Sequence, residues 1–345
     1  MRHGLIGGAL AASLALALPA AAQQKTLYLG AYGGSFEQTM RQKILPAFEK
    51  AANVKVEYVA GNSTDTLAKL QAQKGNQQID VAIMDDGPMY QAVELGFCAP
   101  LAPGAVFADL YDVATYPSKK AIGLGVVGTG IMYNKKYFDE QKWPAPSSWN
   151  ELKDAKYKKR LVVPPLNNTY GLHALIVAAV QAGGGEKNIE PGFKAYKDEI
   201  GPNVLAFEPS PGKMTELFQS GQAVIAVWGS GRAKALADTG FPAEFVYPKE
   251  GGIALGVGGC PVAGGKGHPE AQALLQHLLS PEMQTLLATD AGFGPVNKKV
   301  SLPADKQVGI PYGPEQVAKL RVVDWDTVNA NRDAWNRRWT REVER

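Results

Sequence analysis

The sequence predicts an α/β fold in two lobes, and three observations lead there. Short apolar strands alternate with helical patterns from Lys25 onward, the mark of βα units built on a mostly parallel sheet. The same strand, turn and helix order returns in the middle of the chain, between Leu161 and Ala237. Finally, the chain has 345 residues, more than one compact core organises and suited to two.

Residues 1–22 read as a secretory leader. Arg2 supplies a basic start, residues 5–18 form an apolar run too short to span a bilayer comfortably, and Ala20-Ala21-Ala22 precedes Gln23 as an A-x-A cleavage pattern. The expectation is an exported, soluble protein acting in the periplasm. Beyond the leader, Cys98 and Cys260 are the only cysteines. An even count in an oxidising compartment permits one disulfide, and two buried free thiols are the alternative.

Residues 25–32 form the first expected strand, 35–51 a helix, 54–59 a strand, 64–73 a helix and 80–84 a strand, a βαβαβ opening. Ligands of open α/β sheets sit outside the carboxyl ends of the strands. Two turns therefore become candidates: Tyr32-Gly33-Gly34-Ser35, where the glycines let backbone N–H groups approach a ligand, and Asp85-Asp86 with Gly87 and Pro88. In the middle of the chain, strand 161–163 runs into a turn ending at Thr169 and Tyr170, then a helix over 171–182. The run 223–228 feeds Gly229-Ser230-Gly231-Arg232 and a helix to Ala237. This last turn is the sharpest signal. Trp228 offers a flat stacking face, and Arg232 presents a fork suited to a carboxylate or phosphate. Past Ser301 the pattern turns helical, and Trp335 and Trp339, four apart, share a face expected to pack on a lobe.

Several function classes are excluded by what is missing. The formal charge is only +3, and the one basic stretch, 153–160, is interrupted by Asp154 and Tyr157, so no nucleic-acid partner is expected. His173, His268 and His277 have no metal-ligand spacing, and neither metal nor cofactor is predicted. Ser230 lacks a glycine two positions before it, so it is not a nucleophile elbow. Gly123-x-Gly125-x-x-Gly128 leads into a strand over 129–134 and reads as a hinge or packing motif. No catalytic residue is assigned.

The order and spacing of five segments resemble the periplasmic solute-binding proteins of ABC importers, in the branch that includes spermidine/putrescine-binding proteins. They are residues 26–32, 46–50, 247–252, 270–287 and 292–297, the third starting at Tyr247. The resemblance implies a two-lobed periplasmic-binding-protein fold of type II-like connectivity with a ligand cleft between the lobes. Lobe 1 would comprise 23–127 plus 255–299, and lobe 2 would comprise 128–254 plus 300–345. The chain would cross near 125–133 and 251–261. It also implies a small-molecule ligand, an inner-membrane ABC permease as partner, a monomer, and room for a chemoreceptor partner. The acids that hold ammonium groups in polyamine-binding members fall on Pro165, Thr169 and Gly256 here, none of which can pair with a cation. Trp228 matches the family's stacking aromatic. The expected site is Tyr32, Gly33, Gly34, Ser35, Asp85, Asp86, Thr169, Tyr170, Trp228, Ser230, Arg232 and Tyr247, holding a small polar organic solute with a carboxylate or other anionic end. Asp85 and Asp86 leave room for a cationic end; polyamine binding and a periplasmic enzyme on the same fold are the alternatives.

Overall fold

The computed structural model describes Met1, residues 24–307 and residues 309–344; apart from Met1, the leader expected over 1–22 lies outside the described residues. Nine strands form one continuous sheet: β1 (Lys25–Ala31), β2 (Val54–Ala60), β3 (Val81–Asp85), β4 (Ile122–Asn134), β5 (Leu161–Val163), β6 (Val204–Phe207), β7 (Ile225–Gly229), β8 (Ala243–Val246) and β9 (Ile253–Pro261). Their order is β2-β1-β3-β9-β4-β7-β5-β6, with β8 also on β4. β1 runs parallel to β2 and β3, and β5 runs parallel to β6 and β7, so each half is a small parallel sheet of the predicted kind.

The halves meet on β4. Its first part pairs antiparallel with β9, and its last residues change partners to β7 and β8. All thirteen residues of β4 are buried, and the glycines of the G-x-G-x-x-G run lie inside it. A Cβ on Gly125 would stand 2.8 Å from the Phe293 ring, and one on Gly128 would strike Tyr247. The motif is therefore a strand packed too closely for side chains, with no phosphate loop.

Each half has its own core. Leu27, Leu29, Ile44, Phe48, Val81 and Leu274 gather under the first sheet. Tyr157, Leu175, Phe193, Val227 and Trp335 gather under the second. The last helix, Trp325–Glu342, completes the second core: Trp339 is 1% exposed and its ring packs against Tyr196 and Phe207. Its first residue, Trp325, belongs to the same core and also lies against Gly87, at the start of the helix Asp86–Glu94.

The expected helix over 35–51 is broken into Ser35–Thr39, a π-turn segment Met40–Ile44 and Leu45–Ala52. Pro46 explains the break. It has no N–H for the carbonyl four residues back, and its ring crowds the preceding turn. The expected strand over 129–134 begins seven residues earlier, at Ile122, and takes in the glycines expected to precede it; the other elements of the βα units lie within a few residues of their expected places.

Cys98 and Cys260 are joined by a disulfide, closing a separation of 162 residues. It lies beside the β3–β9 pairing, where Cys260 faces Ala82. Cross-linking so distant a pair removes much conformational freedom from the unfolded chain, worth about 2–4 kcal/mol. Urea unfolding with and without reductant should show that loss, and a Cys98→Ser, Cys260→Ser double variant should unfold at the reduced protein's midpoint.

Candidate functional site

Six parallel-sheet strands end on one cavity of about 480 Å³ between the two halves. From the first half come the turns after β1 (Tyr32, Gly33, Gly34, Ser35), β2 (Gly61, Asn62) and β3 (Asp85). From the second come the turns after β5 (Asn168, Tyr170), β6 (Ser210, Gly212) and β7 (Trp228, Arg232). Carboxyl ends of parallel strands are where open α/β sheets bind ligands, and here two such edges face each other. The floor is apolar, with Val127 of β4 and Leu255 and Val257 of β9.

Besides Asp86–Glu94, four helices of eight residues or more start at these turns, and residues of their caps and first turns line the cavity. They are Ser63–Ala72 capped by Asn62, Thr169–Gln181 capped by Asn168, Pro211–Gln219 capped by Ser210, and Ser230–Ala237. Helix N-termini carry partial positive charge, which favours an anion. Arg232 adds a full one. Its guanidinium Nη1 reaches Ser35 Oγ across the cleft at 3.5 Å, and among the described residues no carboxylate lies within ion-pair distance of it. Trp228 and Tyr170 stand beside it with ring centroids 5.0 Å apart.

Asp85 is the node opposite. The Tyr32 hydroxyl donates to its Oδ1 at 2.6 Å, the Thr169 hydroxyl donates to Oδ2 at 2.5 Å, and its own N–H donates to Ser63 Oγ at 2.9 Å. Burial and the Asp85 charge hold the Tyr32 hydroxyl well above the usual tyrosine range, so it stays a donor. Thr169 comes from the second half, so this carboxylate ties the two halves together.

Of the expected residues, Tyr32, Gly33, Gly34, Ser35, Asp85, Tyr170, Trp228 and Arg232 line the cavity together. Thr169, Asp86, Ser230 and Tyr247 stand behind it. Thr169 positions Asp85, and Ser230 Oγ accepts the Gly128 N–H at 3.2 Å. Tyr247 packs on Phe245 and opens onto a separate surface hollow with Pro248 and Lys319. Asp86 accepts N–H groups from Gly87 and from Gly256 of β9, and Trp325 lies beside it. The turns at Asn62 and Ser210 were not singled out from sequence. The asparagine–aspartate capping box Asn62/Asp65 and the Ser210-Pro211 helix start are the signals that could have found them.

Two halves that present facing turns across a cavity form a protein that captures a small molecule between them. Comparison with known proteins agrees. Residues 43–310 match the bacterial extracellular solute-binding proteins, and the chain belongs to that family. A putative 2-aminoethylphosphonate-binding periplasmic protein of Salmonella paratyphi A is 24% identical over 310 residues, 86% of each chain. The fold is shared with the fructose-6-phosphate complex of the periplasmic binding protein AfuA from Actinobacillus pleuropneumoniae (19% identity, TM-score 0.75, 93% of this chain and 98% of that one). It is shared also with AgtB from A.tumefacien in complex with agropinic acid (23%, TM-score 0.74, 93% and 99%).

Behind the site, two buried groups titrate in opposition. Burial, then the neighbouring Asp85 charge, pushes Asp86 up to about 7; its stabilising, protonated form is lost as pH rises from the unfolded carboxylate range to that value. Burial, then the Arg332 charge, pushes His173 down to about 3, so stability falls as pH drops from the ordinary histidine range toward that value. In an Asp86→Asn variant only the histidine slope remains. Thermal melts at pH 4.5 and 7.5 should show the variant gaining on the natural protein at the higher pH; an unchanged difference would mean that Asp86 is ionised at both.

Proposed function

We propose that this chain is the solute-capturing component of an ABC importer, acting in the periplasm, and that its solute is a small polar organic anion. The observation that carries the reading is Arg232, a cation without a carboxylate partner among the described residues, at a cavity on which four helix N-termini converge. A carboxylate, phosphate or phosphonate would take charge-assisted hydrogen bonds from the guanidinium fork and from backbone N–H groups, while Trp228 and Tyr170 cover its apolar part. The names of the relatives, an aminoethylphosphonate binder and complexes of a sugar phosphate and an organic acid, are of the same chemistry.

A polyamine reading has less support. The two carboxylates at the cavity are already engaged, Asp85 by two hydroxyls and Asp65 by the Asn62 N–H of its own helix cap. Bringing in a polycation would ask Asp85 to serve several ammonium groups and leave the rest unpaired. Asp85 can still accept one further donor, which leaves space for an ammonium group on an otherwise anionic solute.

Capture works by closure of lobe 1 (23–127 and 255–299) against lobe 2 (128–254 and 300–345), bending at β4 and β9. The closed form is what an inner-membrane permease would receive the solute from. The protein acts as a monomer in this scheme and performs no chemistry. An Arg232→Ala variant should lose about 1.5–3 kcal/mol of affinity for the anion, the range for hydrogen bonds to charged groups. A thermal-shift screen of amino acids, polyamines, carboxylates, phosphonates and sugar phosphates identifies the class, since a ligand bound only by the folded state raises the midpoint. A rise with polyamines alone would overturn the reading, as would full affinity in Arg232→Ala.

A further inference from the structure

Arg232 does not stand against a wall. Behind it is a second cavity of about 210 Å³ that shares Gly34, Ser35, Pro211, Gly212, Trp228 and Arg232 with the main one. The guanidinium and the indole therefore form a partition with space on both sides. The long 3.5 Å contact to Ser35 is the only side-chain hydrogen bond of Arg232 among the described residues, so the partition is lightly held. The chamber also spans the two halves. Gln38 reaches it from the helical stretch after Ser35, and Thr215 from the helix Pro211–Gln219. Among the described residues the side chains of these two make no hydrogen bonds with their neighbours. Its lining is mixed, with Met132, Met214 and Leu236, all at most 4% exposed, beside the uncharged polar Gln38, Thr215 and Thr239. Arg232 is the one charged residue among the described residues that line it.

We propose that the two cavities are one bipartite site, and that the solute is an anion bearing an uncharged arm that passes Arg232 into the side chamber. The inference rests on the anion reading and adds the shape of the ligand. The anionic head stays in the main cleft on the guanidinium and the helix N-termini. The arm is neutral because an uncompensated second charge would be desolvated there beside Met132 and Met214. It is aliphatic along its length, with a hydroxyl or amide at its end for Gln38 and Thr215. At about 30 Å³ for each water-sized group, the chamber holds an arm of about seven such groups. A binding site built this way selects by length as well as by charge.

The test uses two probes with one head, methylphosphonate and 6-hydroxyhexylphosphonate, titrated calorimetrically into the full protein. Thr215→Trp and Ala235→Trp each fill the chamber from a different helix, and neither position lines the main cavity. The natural protein should bind the long probe at least roughly tenfold more tightly, the scale of burying a few methylene groups. Both tryptophan variants should lose that advantage and keep the affinity for methylphosphonate within roughly twofold. Equal affinities for the two probes in the natural protein, or an advantage that survives in a folded tryptophan variant, would overturn the chamber while leaving the anion reading intact. Absence of binding by either probe, or binding unaffected by Arg232→Ala, would overturn both. Because the substitutions enter from separate helices, failure of one to fold leaves the other as the measurement.

Discussion

The arrangement depends on β4 serving two sheets. A strand that pairs with β9 in its first part and with β7 and β8 at its end commits both halves to one register. Neither sheet can slide along β4 by one position without bringing a side chain to where the glycines Gly125 and Gly128 meet Phe293 and Tyr247. The glycines of β4 allow Phe293 and Tyr247 to press onto its backbone, so the crossing is dense even though its side chains are small. The two carboxyl edges are thereby held face to face, and the cavity between them follows from sheet geometry before any polar side chain is considered.

Within that frame the polar residues divide the work. On one side Asp85 accepts hydrogen bonds from the Tyr32 and Thr169 hydroxyls within the protein. On the other, Arg232 keeps its charge for something outside the protein. A half-buried carboxylate with two donors is stable without a ligand, whereas a guanidinium with one long contact is poised for one. The imbalance between these two groups, more than the overall charge of the chain, defines the chemistry of the cleft.

Much of this was legible in the sequence, for physical reasons that differ by residue. Trp228 and Arg232 could be read because an apolar strand running into a glycine turn and a helix is a local pattern, and the ligand edge of such a unit is known from the pattern alone. Tyr32 and Asp85 were legible as positions, but their hydrogen bond to each other joins residues 53 apart and needed the β1–β3 pairing to be seen. Asp86 looked equivalent to Asp85, yet the helix it starts turns its carboxylate inward to the Gly256 N–H. The turn at Ser210 escaped notice because β6 is four residues long and only partly buried, too short for a periodic signal. Tyr247 fell in a segment that matched the family, and similarity of sequence did not carry with it the direction of a side chain.

The last helix has a further meaning. Its Trp325, Val328, Trp335 and Trp339 all belong to the second core, most of whose other members lie between Ile131 and Ile253, and Trp325 also meets the start of the helix Asp86–Glu94. β9 and the helix Pro281–Ala291, which complete the first half, also come late in the chain. Neither half can finish burying its apolar surface while the polypeptide is still emerging from the ribosome. Each core thus waits for a segment made after β8, and the two halves become complete only once those late segments are present.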